Sequence, residues 1–99
     1  MPVSEINKNE LTKKMSDNLL VLRNKLRLNQ SELAEKVGIS RQTLLEIEKG
    51  KRIMHWNTFV ALLAVFRADI STSNLLVYFE IYTPELGKYL ISSESADSK

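Results

Sequence analysis

Ninety-nine residues suffice for one helical domain whose core needs neither disulfide nor metal. Cysteine is absent and His55 is the single histidine, which excludes a cysteine nucleophile, a thiolate zinc site and a disulfide scaffold. The net charge of +2 hides an asymmetry: residues 23–52 carry eight basic and four acidic side chains, whereas residues 67–99 carry three basic and five acidic ones.

Residues 1–10 are polar and without period, so they read as a flexible arm with no secretion signal. Leu11, Met15, Leu19, Leu22 and Leu26 then recur at helical spacing, which predicts a first helix ending near Arg27. Ser16 offers a competing later start. Asn29 is placed to cap a second helix, with Glu32 three residues on to close a capping box. Leu33, Ala34 and Val37 form its apolar stripe, and Glu35 and Lys36 face solvent. Gly38 stands where a left-handed stop is needed, Ile39 follows it, and Ser40 caps a third helix that ends at Gly50.

Inside this third helix only Leu44 and Ile47 serve as core anchors. Arg41, Gln42, Leu45, Glu46 and Lys49 therefore fall on or beside its outer face. Two short helices joined by so tight a turn push the second out of the body of a small domain, in a form that fits the major groove of DNA.

After a connector over Lys51 to Met54, the residues Trp56, Phe59, Leu62, Leu63 and Phe66 point one way along a fourth helix. Its longest apolar run, Phe59 to Phe66, is too short to cross a bilayer. Ser71 or Ser73 is expected to cap a fifth segment. There Leu75, Phe79, Tyr82, Leu86 and Tyr89 make one helical stripe, and Val77, Tyr78 and Ile81 a second apolar surface beside it. A helix apolar on two sides is buried on two sides, which points to a second copy of the chain. The β-branched and aromatic content of residues 75–82 keeps a strand open as the alternative. Thr83 and Pro84 break this segment and open a last helix over Pro84 to Leu90. Residues 92–99 are small and polar and read as a disordered tail. The division expected is thus an arm at 1–10, a domain at 11–70, a packing and dimerisation segment at 71–91, and the tail.

The ordered set Leu22-Arg23, Gln30, Gly38, Ile47-Glu48 and Gly50-Lys51-Arg52 resembles the helix-turn-helix of phage repressors of the Cro and C1 type, the Xre family. The resemblance covers Leu19 to Phe66. It implies an all-α, lambda-repressor-like DNA-binding domain of five to six helices, followed by a C-terminal dimerisation segment. Met54 and His55 occupy the places where the family often has a proline and a capping residue; His55 reads as a helix cap or a phosphate neighbour.

By that resemblance Arg41, Gln42 and Glu46 face base edges, with Glu46 left between reading a base and orienting Arg41 or repelling wrong sequences. Arginine can donate twice to guanine, glutamine can bond adenine, and glutamate can accept from cytosine. Leu45 is left between a thymine-methyl contact and a packing role. Gln30, Ser40, Thr43, Lys49, Lys51 and Arg52 are the phosphate candidates. Arg23 and Glu48 hold positions that pair across the first and third helices as a structural ion pair. Val77, Tyr78 and Ile81 are the dimer candidates.

One histidine without a matched acid or nucleophile makes no catalytic site, so the chain reads as a non-enzyme with no cofactor and no metal. It reads as a cytoplasmic, nucleoid-associated regulator, a homodimer that represses from a palindromic operator on double-stranded DNA, with no membrane partner. The alternative is the antitoxin of a toxin–antitoxin pair, which binds its own operator and holds a toxin protein through its C-terminal segment.

Overall fold

The computed structural model describes residues 6–92, and among these it contains six α-helices and no strand. They are α1 (Lys8–Lys25), α2 (Gln30–Val37), α3 (Arg41–Glu48), α4 (Trp56–Arg67), α5 (Ile70–Tyr78) and α6 (Pro84–Ile91). The strand alternative for residues 75–82 is thereby excluded. Most of the expected tail, from residue 93, lies outside the described residues, as do residues 1–5 of the arm.

Residues 8–10 of that arm belong to α1 instead. The Asn7 side chain accepts the Glu10 N–H at 3.0 Å and caps the helix. Thr12 Oγ1 donates to the Lys8 carbonyl at 3.0 Å. This opening turn is solvent-facing at Lys8, Asn9 and Glu10, so an apolar period could not reveal it. Ser16 starts nothing; it lies mid-helix and donates to the Ile47 carbonyl at 2.6 Å.

Leu11, Met15, Leu19 and Leu22 line the buried face of α1. They join Leu33, Leu44, Ile47, Phe59, Leu62 and Phe66 in one core. Leu76, Ile81 and Leu86 belong to the same cluster, so the C-terminal segment closes this core. α1 is the backboard: α3, α4 and α5 all pack against it, while α2 packs on α3 and α4. Among the described residues no helix is long and apolar enough to cross a membrane.

α1 stops at Lys25, ahead of Arg27, because Arg27 takes the left-handed conformation at φ 59°. Leu28 N–H then reaches back to the Arg23 carbonyl at 3.3 Å, a Schellman closure. α5 ends in the same way. Glu80 sits at φ 61°, Glu80 N–H bonds the Val77 carbonyl at 3.0 Å, and Ile81 N–H bonds the Leu76 carbonyl at 2.8 Å.

That reversal overturns the single stripe expected from Leu75 to Tyr89. Leu76 and Ile81, brought together by the closure, are the fully buried pair, and Leu75, Phe79 and Tyr82 are only half-buried against the core. Ile81 therefore cannot serve a dimer interface, because its own chain covers it completely. The cap of α5 is Asp69, not Ser71 or Ser73: its carboxylate accepts from Ser71 N–H at 2.9 Å and Ser71 Oγ at 2.6 Å. Those bonds hold the Asp69 carboxyl below its ordinary range. Thr83 caps α6 by accepting Leu86 N–H at 3.1 Å, with Pro84 in the first turn.

The aromatic side chains fasten α6 to the start of the domain. Trp56 stacks on Phe59 with centroids 4.6 Å apart and meets Tyr89 edge-on at 6.3 Å. Lys8 Nζ lies 4.9 Å and 5.4 Å from the Trp56 and Tyr89 ring centres, within cation–π range. Trp56 thus packs inward. His55 occupies the N-cap position of α4 but makes no side-chain cap bond, so the capping role expected of its imidazole is not filled.

Candidate nucleic-acid interface

The motif is held open by its turn. Gly38 adopts φ 80°, and both Gly38 and Ile39 N–H groups bond the Ala34 carbonyl, at 2.9 Å and 3.1 Å. Nothing lies within 4 Å of a Cβ built there. Glycine is favoured at this point by backbone conformation alone, not by crowding. The capping box before α2 is complete: Asn29 Oδ1 accepts Glu32 N–H at 2.8 Å, and Glu32 Oε1 accepts Asn29 N–H at 2.8 Å.

Ser40 opens α3. Its hydroxyl accepts Thr43 N–H at 3.0 Å and donates to Thr43 Oγ1 at 2.9 Å. The Ser40 proton is therefore spent, and the Thr43 proton remains for a ligand. Gly50 closes α3 at φ 75°, with Lys51 N–H on the Glu46 carbonyl at 2.8 Å.

The inner side of α3 is anchored three ways. Leu44 and Ile47 are fully buried, and Ala34, also buried, keeps α2 close to α3. Ser16 holds the carbonyl of Ile47 from α1. Arg23 and Glu48 form an ion pair whose side chains are only 10% and 6% exposed. Gln30 Nε2 adds a bond to Glu48 Oε1 at 3.3 Å, leaving its second hydrogen and its carbonyl oxygen unspent.

What remains outward is a polar face at the start of α3 and a basic margin after its end. Arg41 and Gln42 are exposed on the first turn. Arg41 has no hydrogen-bond or ion-pair partner among the described residues. Lys49 and Lys51 are exposed in the same way beyond the helix. Leu45, expected near solvent, is only partly exposed on the flank of α3.

Glu46 is the most engaged group of this face. Its Oε2 accepts from Gln42 Nε2 at 3.1 Å, and its Oε1 accepts from Arg52 Nε at 2.8 Å and Nη2 at 2.6 Å. The Gln42 bond first, and the Arg52 bond second, hold the Glu46 carboxyl below its ordinary value, with the positive charges of Arg52 and Lys51 adding to the effect. The structure thus joins Gln42, Glu46 and Arg52 by direct bonds, leaves Arg41 exposed at the start of the helix, and ties Glu48 to Arg23 at its inner end.

Two partners of this site escaped the sequence reading. Ser16 gave no signal, because its acceptor is thirty-one residues away. The Gln42–Glu46 bond was accessible in principle, since residues four apart share a helix face.

A family model described as Helix-turn-helix matches residues 19–71, more than half of the chain. No curated protein and no solved structure gives a match.

Proposed function

The chain belongs to the Cro/C1-type helix-turn-helix family, the Xre family, of DNA-binding transcriptional regulators, and from that premise we propose that it is a repressor which reads a palindromic operator as a homodimer. The observation that carries this reading is the first turn of α3. Arg41 and Gln42 project there without burial while Leu44, Ile47 and Glu48 tether the helix to the body of the domain.

In the major groove Arg41 donates to guanine O6 and N7, and Gln42 bonds adenine. Leu45 lies beside them for a thymine methyl. Gln30 at the start of α2, Thr43 and Ser40 at the start of α3, and Lys49, Lys51 and Arg52 after it flank phosphates and set the register.

The dimer rests on α5. Ile70, Val77 and Tyr78 are 76%, 58% and 79% exposed, and Ile70 and Val77 lie two turns apart on one side of the helix. A two-fold axis through this face spaces two copies of α3 by about 34 Å, one turn of DNA. Selection of bound duplexes from a random pool, followed by sequencing, tests the reading. An enriched inverted repeat supports it, and the absence of any enriched sequence overturns it. Sedimentation at micromolar concentration should give twice the chain mass of 11.3 kDa; a strict monomer both free and on DNA sinks the dimer.

The antitoxin reading keeps the same DNA face and gives the exposed C-terminal apolar side chains, Val77 and Tyr78 with Leu90 and Ile91, to a toxin. A gene for a toxin kinase or nuclease beside this one would favour it.

A further inference from the structure

Gln42 and Glu46 stand one turn apart on the outer face of α3, and Arg52 comes back to them from beyond the left-handed turn at Gly50. The Glu46 carboxylate divides itself between the two, one oxygen to the Gln42 amide and the other to the Arg52 guanidinium. A carboxylate only accepts hydrogen bonds. It therefore admits the nitrogen end of the Gln42 amide and refuses the oxygen end. A glutamine alone on a surface presents either end; this one is set.

The consequence lies in what is left over. Gln42 Nε2 carries two hydrogens, of which Glu46 takes one. With Glu46 on the hydrogen that points away from Oε1, the hydrogen beside Oε1 remains, a donor next to an acceptor in one plane. Adenine shows the complement in the major groove, an N6 donor beside the N7 acceptor. Arg52 completes the arrangement by placing positive charge against Glu46. A bare carboxylate at this point would repel the phosphates on either side of the groove.

Resting on the operator reading above, we propose that Glu46 is a positioning residue that orients the Gln42 amide for adenine and ties the reading helix to the connector through Arg52. Glu46 reads no base itself. It selects a base through the side chain it holds.

The test uses the full chain and the operator that selection returns. Affinities are measured on that operator and on versions in which each adenine is replaced in turn, for the wild type, Glu46→Gln, Gln42→Ala and the double variant. The wild type should prefer adenine at one position per half-site by about tenfold, in the range of one bidentate contact. Glu46→Gln keeps the side-chain size but can accept or donate, so it admits both orientations of Gln42, and the preference should fall below about threefold. Gln42→Ala should lose the same preference, and adding Glu46→Gln to it should change base preference no further. A residue that merely supported the fold would not single out one base. Melting curves of the variants check that α3 stays folded.

A wild type that enriches no sequence overturns the operator reading itself. A wild type with a defined operator whose adenine preference survives Glu46→Gln overturns this inference alone, as does a double variant whose effects on base preference simply add.

Discussion

Arg23 and Glu48 meet across α1 and α3 in a two-point ion pair, Nε to Oε2 at 2.6 Å and Nη2 to Oε1 at 3.2 Å. The remaining Arg23 nitrogen, Nη1, donates to the Leu28 carbonyl at 3.1 Å. Glu48 also takes the Gln30 amide, so the carboxylate joins three helices, and Arg23 carries the link on to the connector at Leu28. Such a pair fixes which side of α3 faces inward, and so which side is free for a ligand.

Removing one partner strands the other away from water. Glu48→Ala should therefore cost about 3 kcal/mol or more, a fall in Tm of about 12–24 °C for a domain of this size. Replacing both residues together, by Arg23→Met with Glu48→Leu, should recover most of that loss, because no charge is then left buried. Thermal melts followed by circular dichroism decide it. A silent Glu48→Ala contradicts the structural role.

Arg41 tests the exposed start of α3. Its side chain is exposed and, among the described residues, without a hydrogen-bond or ion-pair partner, so Arg41→Ala should change stability by less than about 0.5 kcal/mol. On DNA it should lose about 1–3 kcal/mol of discrimination at one base pair per half-site. An Arg41→Ala protein that unfolds, or that reads its operator as well as the wild type, refutes the assignment of faces.

Where the residues themselves announced a helix end, sequence and structure agree closely. Asn29 with Glu32, Gly38, Ser40 and Gly50 each carry their reason in local chemistry, a cap or a left-handed backbone, and the turn of the motif follows from them. The first helix closes at Arg27, near the end expected for it, and the closure at Glu80, which escaped, uses the same left-handed turn without glycine. Nothing local marks the turn at Glu80; it brings Leu76 and Ile81 together in a core assembled from distant helices. For the same reason Ile81 looked like surface. Periodicity counts apolar sides but does not see where the chain turns. On the candidate interface, spacing placed Arg41, Gln42 and Glu46 on or beside the outer face of the third helix, whereas the division of Glu46 between Gln42 and Arg52 depends on how the chain leaves Gly50.

Glu80 offers a gain. A side chain at φ 61° crowds its own carbonyl, at a cost of about 1–2 kcal/mol relative to glycine's freedom, part of which glycine gives back as unfolded-chain entropy. Its contact with Lys14 is 3.6 Å long and exposed, and contributes little. Glu80→Gly should raise stability by about 0.5–1 kcal/mol, and Glu80→Val, branched at Cβ, should lower it. Chemical denaturation at constant m reads both. A Glu80→Gly variant less stable than the wild type speaks against strain at this closure.

The pH dependence of the Gln42–Glu46–Arg52 group has a fixed sign. The Glu46 carboxyl is held below its ordinary value of 4.5, so folding favours the ionised form. Its contribution is present in full above that value and is lost as pH falls through the lower folded value. Carboxyl carbon shifts of Glu46 should therefore titrate below the ordinary range. Gln42→Ala should raise the midpoint most, because the amide bond is the larger cause, and Arg52→Ala should raise it next. A wild-type midpoint at or above the ordinary value means that the carboxylate is not held as described.

Salt separates positioning contacts from reading contacts. Each phosphate neutralised by a lysine releases condensed counterions and contributes about 0.9 to the slope of log affinity against log salt on B-DNA. Lys51 is exposed just beyond the Gly50 turn, so truncating it leaves the core untouched. Lys51→Ala removes one such contact per subunit, and a dimer should lose about 1.8 units of slope. Its preference for operator over unrelated duplex should hardly change, since phosphates carry no direct sequence information. Arg41→Gln should do the reverse, with relaxed preference and a smaller change in slope. Titrations of both variants on both duplexes at several salt concentrations distinguish the two. An unchanged slope in Lys51→Ala takes Lys51 off the phosphate margin, and an unchanged preference in Arg41→Gln takes Arg41 out of base reading.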